Sequence, residues 1–411
     1  MLGRRMFMGA SLGALAAPAL LGQGRPRLVV VGGGAGGATL AREVAQGAAG
    51  AIDVTLVEPA RLYHPAAFSN LPLGGLAQPG PQAVSYAAFG TSLGITVIHD
   101  WALPIKPDRG TVQLASGGEI GWDRLVLAPG IDFVAASVPG WDLTWQGVMP
   151  HGWRGGAQVE QLRRQILAMP DGGIFCLVAP AGSIRAVPAV YERVSLIGSH
   201  LHRVKPRAKL LLLDLREEMP MAAAFSEAWD RLAPGTVERL VPGRLALRPE
   251  SMEIVVEDAV QGVDVCNVIP AQRAGMVAEA LLGPTGYVPV NAWNLQCEDW
   301  PAIYVLGDAA ETGLPRSAAI AQAQARAAAS VILSELTGSF TRPPDYTDPW
   351  WPVLAEDEAL RLVTRYLPDG DTILVEAQSE SAADDPAELR AHNRREGVEW
   401  YGTMIAGMIG S

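Results

Sequence analysis

Along this chain, short uninterrupted apolar runs alternate with stretches of helical periodicity, and the alternation predicts the elements. Arg27 to Val31 reads as a short buried strand, and Gly32-Gly33-Gly34-Ala35-Gly36-Gly37 opens a helical stretch through Ala45. A second strand, Asp53 to Val57, ends in Glu58, and a third, Leu125-Val126-Leu127, ends in Ala128-Pro129-Gly130. Gly172 to Pro180 reads as a strand, followed by a helix around Tyr191 to Leu201 and a strand from Lys209 to Leu213 that ends in Asp214. Ile303-Tyr304-Val305-Leu306 is another strand, ending in Gly307-Asp308-Ala309, and a helix runs from Ser317 to Leu336. Ser379 to Asp385 reads as a small, polar, acidic loop. After it, Leu389, Val398, Trp400, Tyr401, Met404 and Ile405 recur at roughly helical spacing within Pro386 to Ile409. That helix either closes a domain or docks a partner. Strands alternating with helices predict an α/β fold.

The first glycine run carries chemistry. Gly32, Gly34 and Gly37 match a GxGxxG spacing between a strand and a helix. Gly32 makes the tight turn, Gly34 lets the backbone approach a pyrophosphate, and Gly37 lets helix and strand pack closely. The helix N-terminus offers free N–H groups and a partial positive charge. Glu58 falls about 20 residues beyond the last glycine, where a carboxylate accepts both hydrogen bonds of an adenosine ribose. It also repels a 2′-phosphate, so the dinucleotide is NAD or FAD and not NADP.

The remaining motifs separate NAD from FAD. The glycine run, the turn at Ala128 and Gly130, and the Gly307-Asp308-Ala309 turn, in this order, resemble the three FAD motifs of two-dinucleotide-domain flavoproteins. That resemblance implies that Asp308 bonds the ribityl chain or its adjoining phosphate oxygen. It also aims the helix beginning at Ser317 toward the flavin pyrimidine edge, where its N–H groups stabilise negative charge. The middle of the chain has the layout of a second dinucleotide domain. Its turn, Ala181 to Pro188, has one glycine where the fingerprint wants three, and prolines at 180 and 188. No NAD(P) site is expected there, so electrons enter or leave by another donor or acceptor.

Composition narrows the function classes. The chain has 411 residues, 49% of them hydrophobic, enough for two or three ordinary cores, and the net charge of −11 argues against nucleic acid and anionic membranes. Residues 1–24 hold Arg4-Arg5, then the small apolar run Gly9 to Leu21, then a polar break, the pattern of a twin-arginine export signal. The run is shorter than the ~20 residues that cross a bilayer, so no membrane span is expected. Loss of Arg4 and Arg5 takes the net charge from −11 to −13. Cys176, Cys266 and Cys297 form no CxxC or CxxCH, which encodes neither a metal site nor haem on this chain. They read as buried small hydrophobes.

With these features in place, the chain resembles the flavoprotein subunit of flavocytochrome c sulfide dehydrogenase, a relative of the sulfide:quinone reductases in the pyridine nucleotide-disulfide reductase superfamily. Ser69-Asn70, Ile98-His99-Asp100, Pro150-His151 with Trp153, Tyr191-Glu192-Arg193 and Gln272-Arg273-Ala274-Gly275 join the motifs above in carrying the resemblance. It implies a Rossmann-like FAD-binding domain (25–150 and 281–338) split by a degenerate second Rossmann-like domain (151–280). Residues 339–411 then form a segment at the flavin face and the interface with a c-type cytochrome. Members of the family use three cysteines: one tethers the flavin, and two form the disulfide that sulfide attacks. Alignment puts Ala66 at the tether, and Ala186 and Ala310 at the redox pair. FAD is therefore expected to bind without a covalent bond, and sulfide oxidation through a cysteine disulfide is not expected.

Three features remain open. His64, beside Tyr63, is a proton donor, a steric wall or a polar rim residue. His151 and Trp153 pack against the middle domain, and Trp350-Trp351 lie in the core or on a redox-partner surface. The expected function is a periplasmic FAD-dependent oxidoreductase that passes electrons from a reduced substrate, a sulfur compound among the candidates, to a c-type cytochrome. The alternative is a catalytically silent flavoprotein acting as a binding, regulatory or assembly subunit of a sulfur-oxidation system.

Overall fold

A computed structural model describes residues 24–76, 83–182, 184–370 and 372–410; the candidate export signal, with Arg4-Arg5 and the apolar run to Leu21, lies outside the described residues. Strand β1 (Arg27–Val31) leads into helix α1 (Ala35–Ala48), then strand β2 (Asp53–Val57), strand β3 (Thr96–Ile98) and strand β4 (Arg124–Leu127). The chain then forms a second sheet from β5 (Ile174–Ala179), β6 (Lys209–Asp214), β7 (Val237–Leu240) and β8 (Val265–Val268), with helix α2 (Pro188–Val204) between β5 and β6. It returns to the first sheet through β9 (Ile303–Val305) and helix α3 (Ala318–Thr337). Both sheets are parallel, in the orders β9-β4-β1-β2-β3 and β7-β6-β5-β8.

The short apolar runs are apolar throughout because both faces of the first sheet are covered. Leu28, Val30, Leu56 and Val126 face a core built with α1 and α3, whereas Val29, Val31, Val57, Leu125 and Leu127 face a second cluster containing Ile105, Val112 and Ala274. Alanine fills most of the buried face of α3, and Gly36 of α1 leaves no room for a Cβ, which would stand 2.4 Å from Leu306 Cδ1. The two helices thereby bring their N-termini to the same end of the sheet as the carboxyl ends of β1 and β9, which is where ligands bind in open α/β sheets.

After α3 the chain adds an antiparallel sheet, β10 (Tyr346–Trp350), β11 (Leu362–Asp369) and β12 (Thr372–Glu380), then helix α4 (Ala387–Ile409). The periodicity left this sheet unpredicted, because β12 is exposed along most of its length and carries no apolar alternation. The expected loop from Ser379 begins inside β12. Helix α4 does close the first core: Met404 and Met408 are buried in it, Gln322 Nε2 donates to Met404 O at 2.8 Å, and Arg42 Nη1 donates to Gly407 O at 3.0 Å. Leu389 and Val398 correct the expected apolar face, since both are exposed. Trp351 is buried against Trp400 on α4, with ring centroids 5.5 Å apart.

Truncating Met404 to Ala should lower the free energy of unfolding by about 2–5 kcal/mol in urea denaturation, as for other buried large-to-Ala changes. Leu389→Ala, on the exposed side of the same helix, should stay within about 0.5 kcal/mol of the parent.

Candidate functional site

The site starts where β1 turns into α1. Gly32 has φ +99°, and a Cβ there would stand 2.3 Å from the carbonyl oxygen of Ala128. A Cβ on Gly37 would stand 1.9 Å from Gly32 O, so only glycine lets this first turn of α1 press against the strand ends. Gly34 is different: its φ is −70°, and a Cβ would meet only Tyr63 Cε2, at 3.8 Å. Apart from that ring, nothing lies within 4 Å of that position, which suits a backbone that approaches a ligand. Helix α1 has no side-chain cap and no acidic residue in its first turn, leaving its N–H groups and dipole for an anion.

Glu58, at the end of β2, accepts from Gly33 N–H at 2.7 Å through Oε2 and from Ala60 N–H at 2.9 Å through Oε1. Each carboxylate oxygen keeps a further lone pair for a ribose hydroxyl. The Tyr86 hydroxyl donates to Gly33 O at 2.8 Å, so both backbone groups of Gly33 are fixed. At the neighbouring strand end, Ala128 touches the Gly32 turn and Gly130 adopts φ +69°.

Farther along, Asp308 stands largely covered in the turn after β9. Burial pushes its pKa up, and the Arg185 guanidinium, 3.6 Å away, opposes that shift. Arg185 also donates to the carbonyl of Trp153. Ser317 caps α3, its Oγ accepting from Ile320 N–H at 3.1 Å while donating to Asp348 Oδ1 at 2.5 Å. Trp350 Nε1 donates to the other oxygen of Asp348, and burial pushes that carboxyl up to about 6. Beside Ser317 opens a cavity of about 630 Å³ including its mouth, walled by Ala66, Phe68, Ala186, Trp350, Trp351 and Trp400.

Of the three alanines, Ala66 and Ala186 thus face one cavity. Ala186 holds φ +60°, uncommon for a residue with a Cβ, and its N–H donates to Arg316 O at 2.9 Å. Ala310 does not line this cavity; it is buried in a two-residue strand opposite Val288. Cys176 and Cys266 lie in register on β5 and β8, fully buried, and the Cys266 thiol together with burial pushes the Cys176 thiol up. Cys297 is buried in the other core. None of the three lines the cavity, and all are free thiols.

Segments far apart in sequence meet behind the cavity. Asn70 Nδ2 donates to Glu192 Oε1 at 2.8 Å, and its Oδ1 accepts from Arg193 Nε at 2.9 Å, so one amide joins the two buried charges. Arg193 also donates to Asn267 Oδ1 and to the carbonyls of His151 and Gly152, and lies 4.8 Å over the Trp153 ring. Val353 N–H takes the remaining oxygen of Glu192. His151 accepts from Trp153 N–H through Nδ1, and burial with nearby Arg154 and Arg193 pushes its pKa down to about 3, keeping the ring neutral. His151 and Trp153 therefore pack as expected, and His64 is exposed, with its Cβ close to Gly155.

In the middle sheet the carboxylate at the matching strand end is engaged by protein groups. Asp214, at the end of β6, is fully buried and its oxygens accept from Tyr191, Arg239 and the Arg216 N–H. Arg216 also donates to Gly182 O at 2.7 Å, across the turn that follows β5.

Residues 159–270 match the family model described as "Sulfide dehydrogenase [flavocytochrome c] flavoprotein chain, central", and residues 26–168 match "Pyridine nucleotide-disulphide oxidoreductase". The middle of the chain is thus similar to the flavoprotein chain of sulfide dehydrogenase. The mitochondrial sulfide:quinone oxidoreductase of Dictyostelium discoideum is 23% identical over 73% of this chain and 68% of its own length, and that of Mus musculus is 22% identical over 72% and 68%. The sulfide:quinone oxidoreductase of Aquifex aeolicus shares the fold, with a TM-score of 0.70 at 17% identity over 94% of this chain and 93% of that one. Putidaredoxin reductase, in its covalent complex with putidaredoxin, gives 0.66 at 18% identity over 90% and 93%. By their names these relatives are oxidoreductases, and the likeness supports an oxidoreductase here.

The residues present fit FAD. Gly32 and Gly37 leave no room for side chains, Gly34 presents bare backbone, Glu58 retains acceptor capacity, and the buried Tyr401 hydroxyl beside Tyr63 has no partner among the described residues. Sequence reasoning missed Tyr86, Arg185, Asp348 and Tyr401 as site residues. No motif marks them, because each reaches the site from its own loop or helix.

Arg193→Met should cost about 3–5 kcal/mol of stability, since it strands Asn70, Asn267 and Glu192 in a buried space. A urea-unfolding midpoint close to that of the parent would show that the network is not holding the two sheets together.

Proposed function

We propose that this chain is a periplasmic flavoprotein, exported by the twin-arginine route, that holds FAD without a covalent bond. It passes electrons from a reduced substrate, a sulfur compound among the candidates, to a c-type cytochrome. The observation that carries the reading is the cradle at Gly32, Gly34 and Gly37 with Glu58 poised beside it. Bound FAD supplies a reversible carrier of two electrons. The chain's own part is to seat the pyrophosphate on the α1 N-terminus, hold the adenosine ribose at Glu58 and present Asp308 to the ribityl chain. The N-terminus of α3, capped by Ser317, provides donors for negative charge at the far end.

The route does not use a cysteine disulfide. Ala66, Ala186 and Ala310 supply neither a thioether nor an electrophilic sulfur, and the free thiols of Cys176, Cys266 and Cys297 are buried elsewhere. A second NAD(P) site is disfavoured because Asp214, placed where a ribose-binding carboxylate would stand, is fully committed to Tyr191, Arg239 and Arg216. A cytochrome acceptor is supported by the family that the middle segment matches. The Arg185–Asp308 pair favours the second reading, a silent binding or assembly subunit, because it engages the carboxylate meant for the cofactor.

Gly34→Val should leave the protein folded, since a Cβ built there meets only Tyr63 within 4 Å, yet strip the flavin by filling the pyrophosphate approach. Gly37→Val should instead fail to fold, because its Cβ would collide with Gly32 O. A folded Gly34→Val protein that keeps its flavin would refute this placement. Sulfide mixed anaerobically with the parent should not bleach the flavin rapidly, and rapid bleaching would contradict the cysteine-independent route.

A further inference from the structure

Asp348 is a buried carboxylate that the cofactor seat leaves unused. It is only 4% exposed and meets two donors, Ser317 Oγ at 2.5 Å on one oxygen and Trp350 Nε1 at 3.0 Å on the other. Among the described residues no arginine, lysine or histidine pairs with it. A carboxylate buried without a cation is unfavourable, and a bound proton relieves it. Both of its donors stand in the wall of the cavity, so a single hydroxyl joins the carboxyl to that space. We propose that Asp348 is the proton acceptor of the cavity, working through Ser317 when electrons pass to the carrier at the α3 N-terminus. The inference rests on the FAD reading, which puts that carrier there.

A two-electron donor oxidised in the cavity gives up protons along with its electron pair. As the pair goes to the flavin, one proton goes to Ser317 Oγ while the hydroxyl's own proton crosses to Asp348 Oδ1. Serine is restored, and the carboxylate becomes a neutral acid. Burial pushes the carboxyl up to about 6, which leaves it mostly ionised at neutral pH and able to receive. Negative charge arriving at the α3 N-terminus, which Ser317 caps, then opposes the charge on Asp348 and drives the uptake. The surrounding groups do not compete for the proton. On β11 the Thr364 hydroxyl stands in register with Asp348, and the phenols of Tyr346 and Tyr366, paired beside them, are pushed up by burial and stay neutral. Strand β12 brings Gln378 opposite Thr364 and, beyond it, exposed Glu380. In the cavity wall, Arg185 lies 3.6 Å from Asp308, and Glu192 is occupied by Asn70 and Val353.

The test is a spectroelectrochemical titration of the full-length, FAD-loaded protein across pH, comparing the parent with the nearly isosteric Asp348→Asn. Below about pH 6 the carboxyl already holds its proton, and the two midpoint potentials should run parallel. Above it the parent should take up one proton more per two electrons. Each tenfold change in proton concentration then separates the curves by about 30 mV, the variant having the higher potential. Curves that stay parallel throughout overturn the proposal and leave the FAD reading standing, whereas a protein that cannot be loaded with FAD overturns both. Ser317→Ala should slow proton uptake after rapid mixing with dithionite, followed with a pH indicator, and uptake at the parent's rate overturns the route through Ser317. Should Asp348→Asn not fold, the reduced-minus-oxidised infrared difference spectrum of the parent decides the matter. A protonated-carboxyl band gained on reduction at neutral pH is expected, and its absence overturns the proposal.

Discussion

The close approach of three backbone segments governs this molecule: the Gly32 turn, the first turn of α1 at Gly37, and the end of β4 at Ala128. A Cβ at Gly37 would lie 1.9 Å from Gly32 O and one at Gly32 would lie 2.3 Å from Ala128 O, so the contact exists only because both residues lack side chains. The contact fixes the angle at which α1 leaves the sheet and aims its uncapped N–H groups at the space beyond β1. Glu58 and Tyr86 then hold Gly33 from either side, through its N–H and its carbonyl. Everything proposed for the cofactor depends on that seat.

The second half of the site is built differently. Around the cavity, Ala66 and Ala186 supply only methyl groups, whereas the frame behind them is intact: Asn70 links Glu192 to Arg193, and Arg193 ties the first segment to His151, Gly152 and Asn267. Ala186 keeps a left-handed backbone, a conformation that costs energy for any residue with a Cβ. A frame of buried charges and strained backbone around inert side chains is economical only if the cavity still receives something.

Much of this was legible from residue order. The strand at Arg27–Val31, the glycine turn, Glu58 and the Asp308 turn appear where spacing placed them, because buried parallel strands are short, wholly apolar and bounded by glycine. Ser317 proves to be the cap of α3. The exposed sheet β10–β12 was not legible, since period-2 alternation needs a buried face and β12 has none. Leu389 and Val398 misled because helical spacing alone does not say which stripe meets the core. Tyr63, Arg185 and Tyr401 were invisible as site residues, for each is brought there by tertiary packing with no local signature. Ala310 was expected beside Ala186 by resemblance, yet it does not line the cavity that Ala66 and Ala186 share.

The central claim is that the glycine cradle holds FAD by non-covalent contacts alone. The visible absorption spectrum of the purified mature protein, taken before and after acid precipitation, tests it most directly. The account predicts a flavin band that moves entirely into the supernatant. A flavin that stays with the precipitate, or a colourless protein that cannot be reconstituted with FAD, would contradict it.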